Sequence, residues 1–218
     1  MAKVLEGPGM RLLSKWGMAV PNYVVITEAA QIDNLSQANP WLRECKLVVK
    51  AHEALGGRMK LGLVKVGLDL EAARAAAKEM IGKAVAEVTI SQVIISEMVE
   101  HDEEYYLAVT STRDGAEILL ASMGGIEVEA NWEKVKKLAV PLGADPDMQA
   151  LTDLAKDAGF DEALLPRVAS FANKLFKCYD QEDGSYLEIN PLVRRSANGE
   201  LIALDAVTMV DGDARFRH

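Results

Sequence analysis

The sequence predicts an α+β protein built as two lobes. Three observations lead there. Strand-like runs come as neighbouring pairs rather than in strict alternation with helices, which argues against one doubly wound parallel sheet. Half of the 218 residues are hydrophobic, enough for a sizeable core or two smaller ones. No apolar run reaches the roughly 18–20 residues needed to span a bilayer. The opening MAKVLEGPGMRLLSKWG also lacks the continuous apolar stretch of a signal peptide.

Residues 4–16 read as a short helix stopped near Gly17, followed by a strand at 22–26. TEAAQIDNLSQA reads as a helix capped by Thr27 and ending before Asn39-Pro40, because the residue before a proline avoids the helical region. KLVVK (46–50) and LGLVKV (61–66) are β-rich and pair as a hairpin around a glycine-bearing loop. An alanine-rich helix capped by Asp69 is expected over 69–87. A strand over 91–100 runs into the acidic link EHDEE, and EYYLAVTSTRDGAEILLAS predicts a hairpin turning at Arg113-Asp114-Gly115. After a loop with Gly124-Gly125, helices are expected at 133–139, at 146–158 (Asp145 as cap, Pro146 in first position) and at 166–180. The last of these carries Val168, Phe171, Ala172, Leu175, Phe176 and Tyr179 at helical spacing, a stripe suited to packing on a sheet. Two final strands are joined at Asn198-Gly199, a hairpin signal.

The net charge of −9 with dispersed cations repels nucleic acid and acidic membrane surfaces, so neither is expected as the main partner. Cys45 and Cys178 are far apart and form no CxxC pattern, which suggests buried, inert thiols in a reducing compartment, the cytoplasm. His52, His101 and His218 show no zinc-binding spacing.

Two constellations carry chemistry. In KLVVKAHEALGGRMKLGLVKV, Lys50, Arg58 and Lys60 surround Gly56, Gly57 and Gly62. Glycines let a backbone approach a ligand closely, and a lysine point charge with an arginine fork suits polyphosphate. A solvated hairpin with ordinary surface cations is the other reading, and spacing alone leaves both open. Neither a Walker A loop nor a strand–GxGxxG–helix unit is present.

The second constellation is YLEINPLV and LIALDAV, where polar residues interrupt apolar strands. If Asn198-Gly199 is a two-residue turn, Asn190 faces Val207 and Leu192 faces Asp205. Period two then puts Glu188, Asn190 and Asp205 on one face, with Asn190 and Asp205 as diagonal neighbours. An amide oxygen and a carboxylate completed by water and phosphate make a Mg²⁺ site. The alternatives are a buried polar pair bonded to nearby backbone, or a slipped register.

Together, VVKAHEALGGRMKLG, EEYYLAV, GGIEVE and LEINPLVRRSANGELIALDAV…DGDARFR resemble the ATP-grasp domain of the acyl-CoA synthetase superfamily that forms citryl-CoA and succinyl-CoA. The resemblance spans essentially the whole chain. NPWLRECKLVVK and KLGLVKVGL are more similar to ATP-citrate lyase and citryl-CoA synthetase than to the succinyl-CoA enzyme. It implies two α/β lobes clamping a nucleotide, one at about 20–97 and the other at about 1–19 plus 98–218. By motif position Lys50 and Arg58 hold phosphates under the loop from Gly56 and Gly57. The link at Glu97, Met98 and Val99 takes adenine through backbone groups, and Glu104 bonds the ribose hydroxyls. Asn190 and Asp205 hold Mg²⁺, and Glu188 faces the phosphohistidine this family uses as carrier. Glu188 and Arg58 are thus the expected catalytic residues, and ATP and Mg²⁺ the expected cofactors.

The implied reaction passes a phosphoryl group from ATP to histidine and then to citrate, after which coenzyme A attacks the acyl carbon. Cleavage to acetyl-CoA and oxaloacetate takes place elsewhere. None of the three histidines sits in an acceptor loop. The resemblance therefore implies a partner domain or subunit that binds coenzyme A and carries the phosphohistidine, with citrate and coenzyme A held mainly outside this chain. The chain is expected to be a truncated or excised domain whose coenzyme A ligase lobe lies beyond ARFRH. One position departs from the family's G-G-R-G-K pattern: Met59 stands in place of the last glycine. That departure keeps open a nucleotide-binding regulatory module without turnover, and a succinyl-CoA synthetase β-type subunit is the alternative within the enzyme class.

Overall fold

The computed structural model describes residues 1–85 and 87–217, with side chains for all of these but 215–217. His218, one of the three histidines weighed above, lies outside the described residues. The chain forms two compact units, Pro21–Val99 and a larger one of Met1–Val20 with the chain from Glu100 onward.

The smaller unit is a four-stranded antiparallel sheet in the order Tyr23–Ile26, Val93–Glu97, Leu47–Ala51, Val64–Leu68. The helix Leu70–Met80 packs on it through Ala73, Ala76, Ala77 and Met80, small residues that let helix and sheet approach closely. Asp69 caps this helix by accepting the Ala72 N–H at 2.8 Å. The helix ends at Met80 rather than running to 87, because Gly82 turns the chain at φ +85 into a short hairpin, Ala84–Val85 with Val88–Thr89. Thr27 is not a cap: the helix begins at Gln31, whose side chain reaches back to accept the Thr27 N–H.

The larger unit is built on a seven-stranded antiparallel sheet. Its main order is Ala2–Val4, Ala206–Val210, Gly184–Arg195, His101–Thr112, Gly115–Ala121, Lys136–Pro141, and Leu201–Ala203 also pairs with Gly184–Arg195. The helices Met148–Asp157 and Leu165–Gln181 pack on one face of it. The stripe from Val168 to Tyr179 is buried against Leu107, Val109 and Leu187. Leu175 is fully buried there, and truncating it to alanine would cost about 2–5 kcal/mol. The helix Glu6–Lys15 buries Met10 and Leu13, and the strand Ala2–Val4 ahead of it is an addition to the expected elements.

Three further expectations are corrected. Residues 133–139, expected as helix, give a single 3-10 turn at Trp132–Lys134 and then the strand Lys136–Pro141, paired with Gly115–Ala121. The acidic EHDEE is not a link beyond His101, since it opens the twelve-residue strand His101–Thr112. The helix after Pro146 begins at Met148 and is capped by Asp147, whose carboxylate accepts the N–H groups of Gln149 and Ala150. Cys178 is buried and its thiol is pushed up to about 12 by burial, while half-buried Cys45 donates to the Trp41 carbonyl. Among the described residues, no helix is long and apolar enough to cross a membrane.

Candidate functional site

The smaller unit carries the cationic set. Lys50 lies on an interior strand, between Val64 and Ile94, and is 8% exposed. Arg58 donates from Nη1 to the Ala51 carbonyl at 3.0 Å, folding the glycine loop back onto the strand that carries Lys50. The loop is braced by Leu61 N–H to Gly57 O (3.1 Å) and Leu63 N–H to Arg58 O (2.9 Å). Gly57 sits at φ +64, where a side chain is strained, and a Cβ on Gly56 or Gly57 would meet nothing within 4 Å. Met59 is 60% exposed, and its backbone lies outside the left-handed region, so the methionine itself costs no strain there.

Glu97, Met98 and Val99 close the smaller unit. The Glu97 carboxylate accepts Asn22 Nδ2 at 2.9 Å, and its N–H donates to the Asn22 carbonyl at 2.9 Å. The Met98 N–H donates to the Lys46 carbonyl at 2.8 Å, and Val99 is buried. The expectation of adenine contacts through backbone groups is thereby narrowed. The Glu97 and Met98 N–H groups are already committed within their own unit.

The larger unit carries the oxygen-rich set, on the sheet face opposite its two large helices. Tyr105, Leu107 and Val109 point to the helical core, so Glu104, Tyr106 and Ala108 point the other way. The expected hairpin register is wrong by two residues. Glu188 pairs with Val207 and Leu192 with Ala203, because the turn is four residues long, with Arg195 N–H bonded to Glu200 O. A shift of two keeps the faces of the strands, and Asn190 and Asp205 lie between the Ile189–Ala206 pair and the bond from the Leu204 N–H to the Pro191 carbonyl, 3.0 Å. Against His101–Thr112 the strand bulges between Ile189 and Leu192, at the cis Asn190-Pro191 bond. Bulges re-aim side chains in this way at functional sites.

Asn190 is held firmly. Its Oδ1 accepts the Gly125 N–H at 2.6 Å, and its Nδ2 donates to the Gly125 carbonyl at 3.4 Å. Gly125 has φ +59, and a Cβ on it would lie 2.4 Å from Glu104 Oε2. A Cβ on Gly124 would lie 2.7–2.9 Å from the Tyr105 backbone. These glycines therefore do more than shape a turn: they let the start of the short helix Gly125–Ala130 sit against Glu104 and Asn190. Glu104 also faces His101, Nε2 to Oε1 at 3.4 Å. Asp205 Oδ1 accepts the Ala206 N–H at 2.8 Å. Glu188 accepts the Tyr186 hydroxyl on Oε2, and the Tyr106 hydroxyl lies 3.3 Å from that of Tyr186.

Of the sequence-predicted residues, Glu104, Glu188 and Asn190 thus come to one sheet of the larger unit, with Asp205 just ahead of its strand Ala206–Val210. Lys50 and Arg58, with Gly56 and Gly57 in the same loop, come to one hairpin of the smaller. Tyr186, Tyr106 and the bonding role of Gly125 escaped the sequence reading. The spacing of Tyr186 and Glu188, two residues apart on a strand, was the available signal for the first.

The donors fit a hard divalent cation. The Gly125 N–H fixes the Asn190 amide with its oxygen identified, and that oxygen keeps a second lone pair. The Asp205 carboxylate lies on the neighbouring chain segment, one residue ahead of the strand Ala206–Val210. Among the described residues, no group of three His, Cys, Asp or Glu side chains could hold a metal, so an ion here would draw its other ligands from water and phosphate.

Comparison with known proteins gives the class first. The structure of ATP citrate lyase from Methanothrix soehngenii in complex with citrate and coenzyme A overlays with a TM-score of 0.80 at 25% identity, covering 98% of this chain and 52% of that one. The fold is ATP-grasp. A family model described as the ATP-citrate synthase ATP-grasp domain matches residues 3–218, and the chain belongs to that family. ATP-citrate synthase alpha chain protein 2 of Oryza sativa subsp. japonica is 33% identical over 202 residues, 88% of this chain and 46% of the rice protein. Succinate–CoA ligase (ADP-forming) subunit beta of Aquifex aeolicus is 32% identical over 225 residues, 99% of this chain and 57% of that subunit. The chain spans about half the length of these relatives.

Proposed function

We propose that this chain is the nucleotide-binding, phosphoryl-transfer domain of an enzyme of the ATP-citrate lyase type, working in the cytoplasm. The whole enzyme forms citryl-CoA from citrate, coenzyme A and ATP through a phosphohistidine supplied by another domain or subunit. The observation that carries this reading is that Asn190, fixed by the Gly125 N–H, and Asp205 lie between the Ile189–Ala206 pair and the Leu204–Pro191 bond, beside the strand position of Glu188. Family membership supports it independently.

Lys50 and Arg58 neutralise phosphate oxygens, and the loop at Gly56 and Gly57 approaches them by backbone. Glu104 accepts the ribose hydroxyls. The Glu97–Val99 segment borders the adenine through groups other than the two committed N–H donors. Asn190 and Asp205 would hold Mg²⁺, which when bound neutralises charge on the transferring phosphoryl group. Glu188 orients the acceptor histidine. Most of the rate enhancement in such transfers comes from positioning and electrostatics. The test is Mg-ATP-dependent histidine phosphorylation in the assembled enzyme. Asn190→Ala and Asp205→Ala should each lower it at least about tenfold, and full activity in both would overturn the metal assignment.

A second reading is favoured by the Aquifex relative, which aligns over 99% of this chain: a succinate–CoA ligase β-type subunit. Exchanging citrate for succinate in the assembled-enzyme assay separates the two.

A further inference from the structure

We infer that Tyr186 is a positioning residue, fixing the Glu188 carboxylate through a directed hydrogen-bond chain that begins at Tyr106. This rests on the proposed role of Glu188 as the group facing the acceptor histidine.

Tyr186 and Glu188 alternate along Gly184–Arg195 and project from the same face, with Thr110 and Ala108 as their partners on the next strand. A phenol carries one proton, and that of Tyr186 is donated to Glu188 Oε2. The contact between the Tyr106 and Tyr186 hydroxyls, 3.3 Å, must therefore run from Tyr106 as donor to Tyr186 as acceptor. The chain reads Tyr106 O–H to Tyr186 O–H to Glu188 carboxylate, and each link polarises the next.

Both ends are anchored. Tyr106 is 2% exposed and meets the edge of Trp132 at a centroid distance of 5.8 Å, in a cluster with Val128 and Val135. Burial pushes its hydroxyl up to about 12, and the Tyr186 hydroxyl is raised further, chiefly by burial and then by its bond to Glu188. Both phenols are thus protonated donors throughout the neutral range. The carboxylate has one oxygen committed to Tyr186 and the other left for an imidazole. A glutamate without such a partner would search its rotamers and present that oxygen only part of the time. The side-chain partner of Glu188 is thus this phenol.

The test is a double-mutant cycle in the assembled enzyme, reading the single-turnover rate of histidine phosphorylation and the KM for ATP. Glu188→Gln should slow the step. Tyr186→Phe should lower the rate about tenfold with KM unchanged, as expected for losing one hydrogen bond to a charged group. It should add nothing further in the Glu188→Gln background. Tyr106→Phe, which keeps the ring, should give a smaller loss, and it carries the test if Tyr186→Phe fails to fold. A full rate in Tyr186→Phe, or an equal further loss in the Glu188→Gln background, would overturn the inference. A full rate in Glu188→Gln alone would instead bring down the reading of Glu188 on which it rests.

Discussion

The two units use glycine and charge in opposite ways. In Pro21–Val99 the glycines at 56 and 57 border open space, and the cations they accompany sit on a strand and a loop. In the larger unit Gly124 and Gly125 press against the Tyr105 backbone and the Glu104 carboxylate, and the Asn190 amide and Glu188 carboxylate are each tied to a neighbour. The smaller unit's site has backbone room to change shape around a ligand, whereas the larger unit's site is already assembled. Phosphate loops benefit from the first arrangement and metal ligands from the second.

The contrast can be broken in several ways. The largest effect comes from alkali. Tyr105, Tyr106, Tyr186 and Cys178 all have hydroxyls or a thiol raised mainly by burial, and all lie in the larger unit. Between about pH 9 and 12 the unfolded chain has lost protons that the folded chain keeps. Stability therefore falls as pH rises, by up to about 1.4 kcal/mol per pH unit for each group. Amide exchange monitored residue by residue should show the larger unit opening first as pH climbs through that window; simultaneous opening of both units would contradict the contrast.

Next is Gly124→Ala, which forces a Cβ within 3 Å of immovable backbone and should cost about 3 kcal/mol in denaturant unfolding. Gly125→Ala should cost about 1–2 kcal/mol for the left-handed backbone, and it should also displace Glu104. Met59→Gly should leave nucleotide affinity unchanged within about twofold and lower stability by about 0.5–1 kcal/mol through unfolded-state entropy. A large gain in affinity would instead mark a degenerate site. The smallest effect is Gly56→Ala, within about 0.5 kcal/mol of the parent, since its Cβ enters open space at an ordinary φ.

The legible parts of the fold were those governed by local chemistry. The 165–181 stripe, the Asp69 cap and the hairpin around Gly57 each follow from spacing or a single side chain. The illegible parts were set by partners distant in sequence. Residues 136–141 became a strand because the edge of Gly115–Ala121 was there to pair with them. Asn198-Gly199 correctly marked a turn but not its length. The Gly199 N–H bonds to Arg195 O and Asn198 Oδ1 accepts the Glu200 N–H, spreading the turn over four residues. The error was an even number, so the paired strands keep the faces the alternation gives them. The Gly125–Asn190 bond, across 65 positions, had no signal in spacing at all.

The proposed function puts nucleotide phosphate on Lys50 and Mg²⁺ on Asp205. Calorimetric titration of this chain with a non-hydrolysable ATP analogue, with and without Mg²⁺, tests it most directly. The account predicts binding that strengthens with Mg²⁺, weakens at least about tenfold in Lys50→Ala, and loses its Mg²⁺ dependence in Asp205→Ala. Binding of equal strength without Mg²⁺, or an Asp205→Ala variant that still responds to the ion as the parent does, would contradict it.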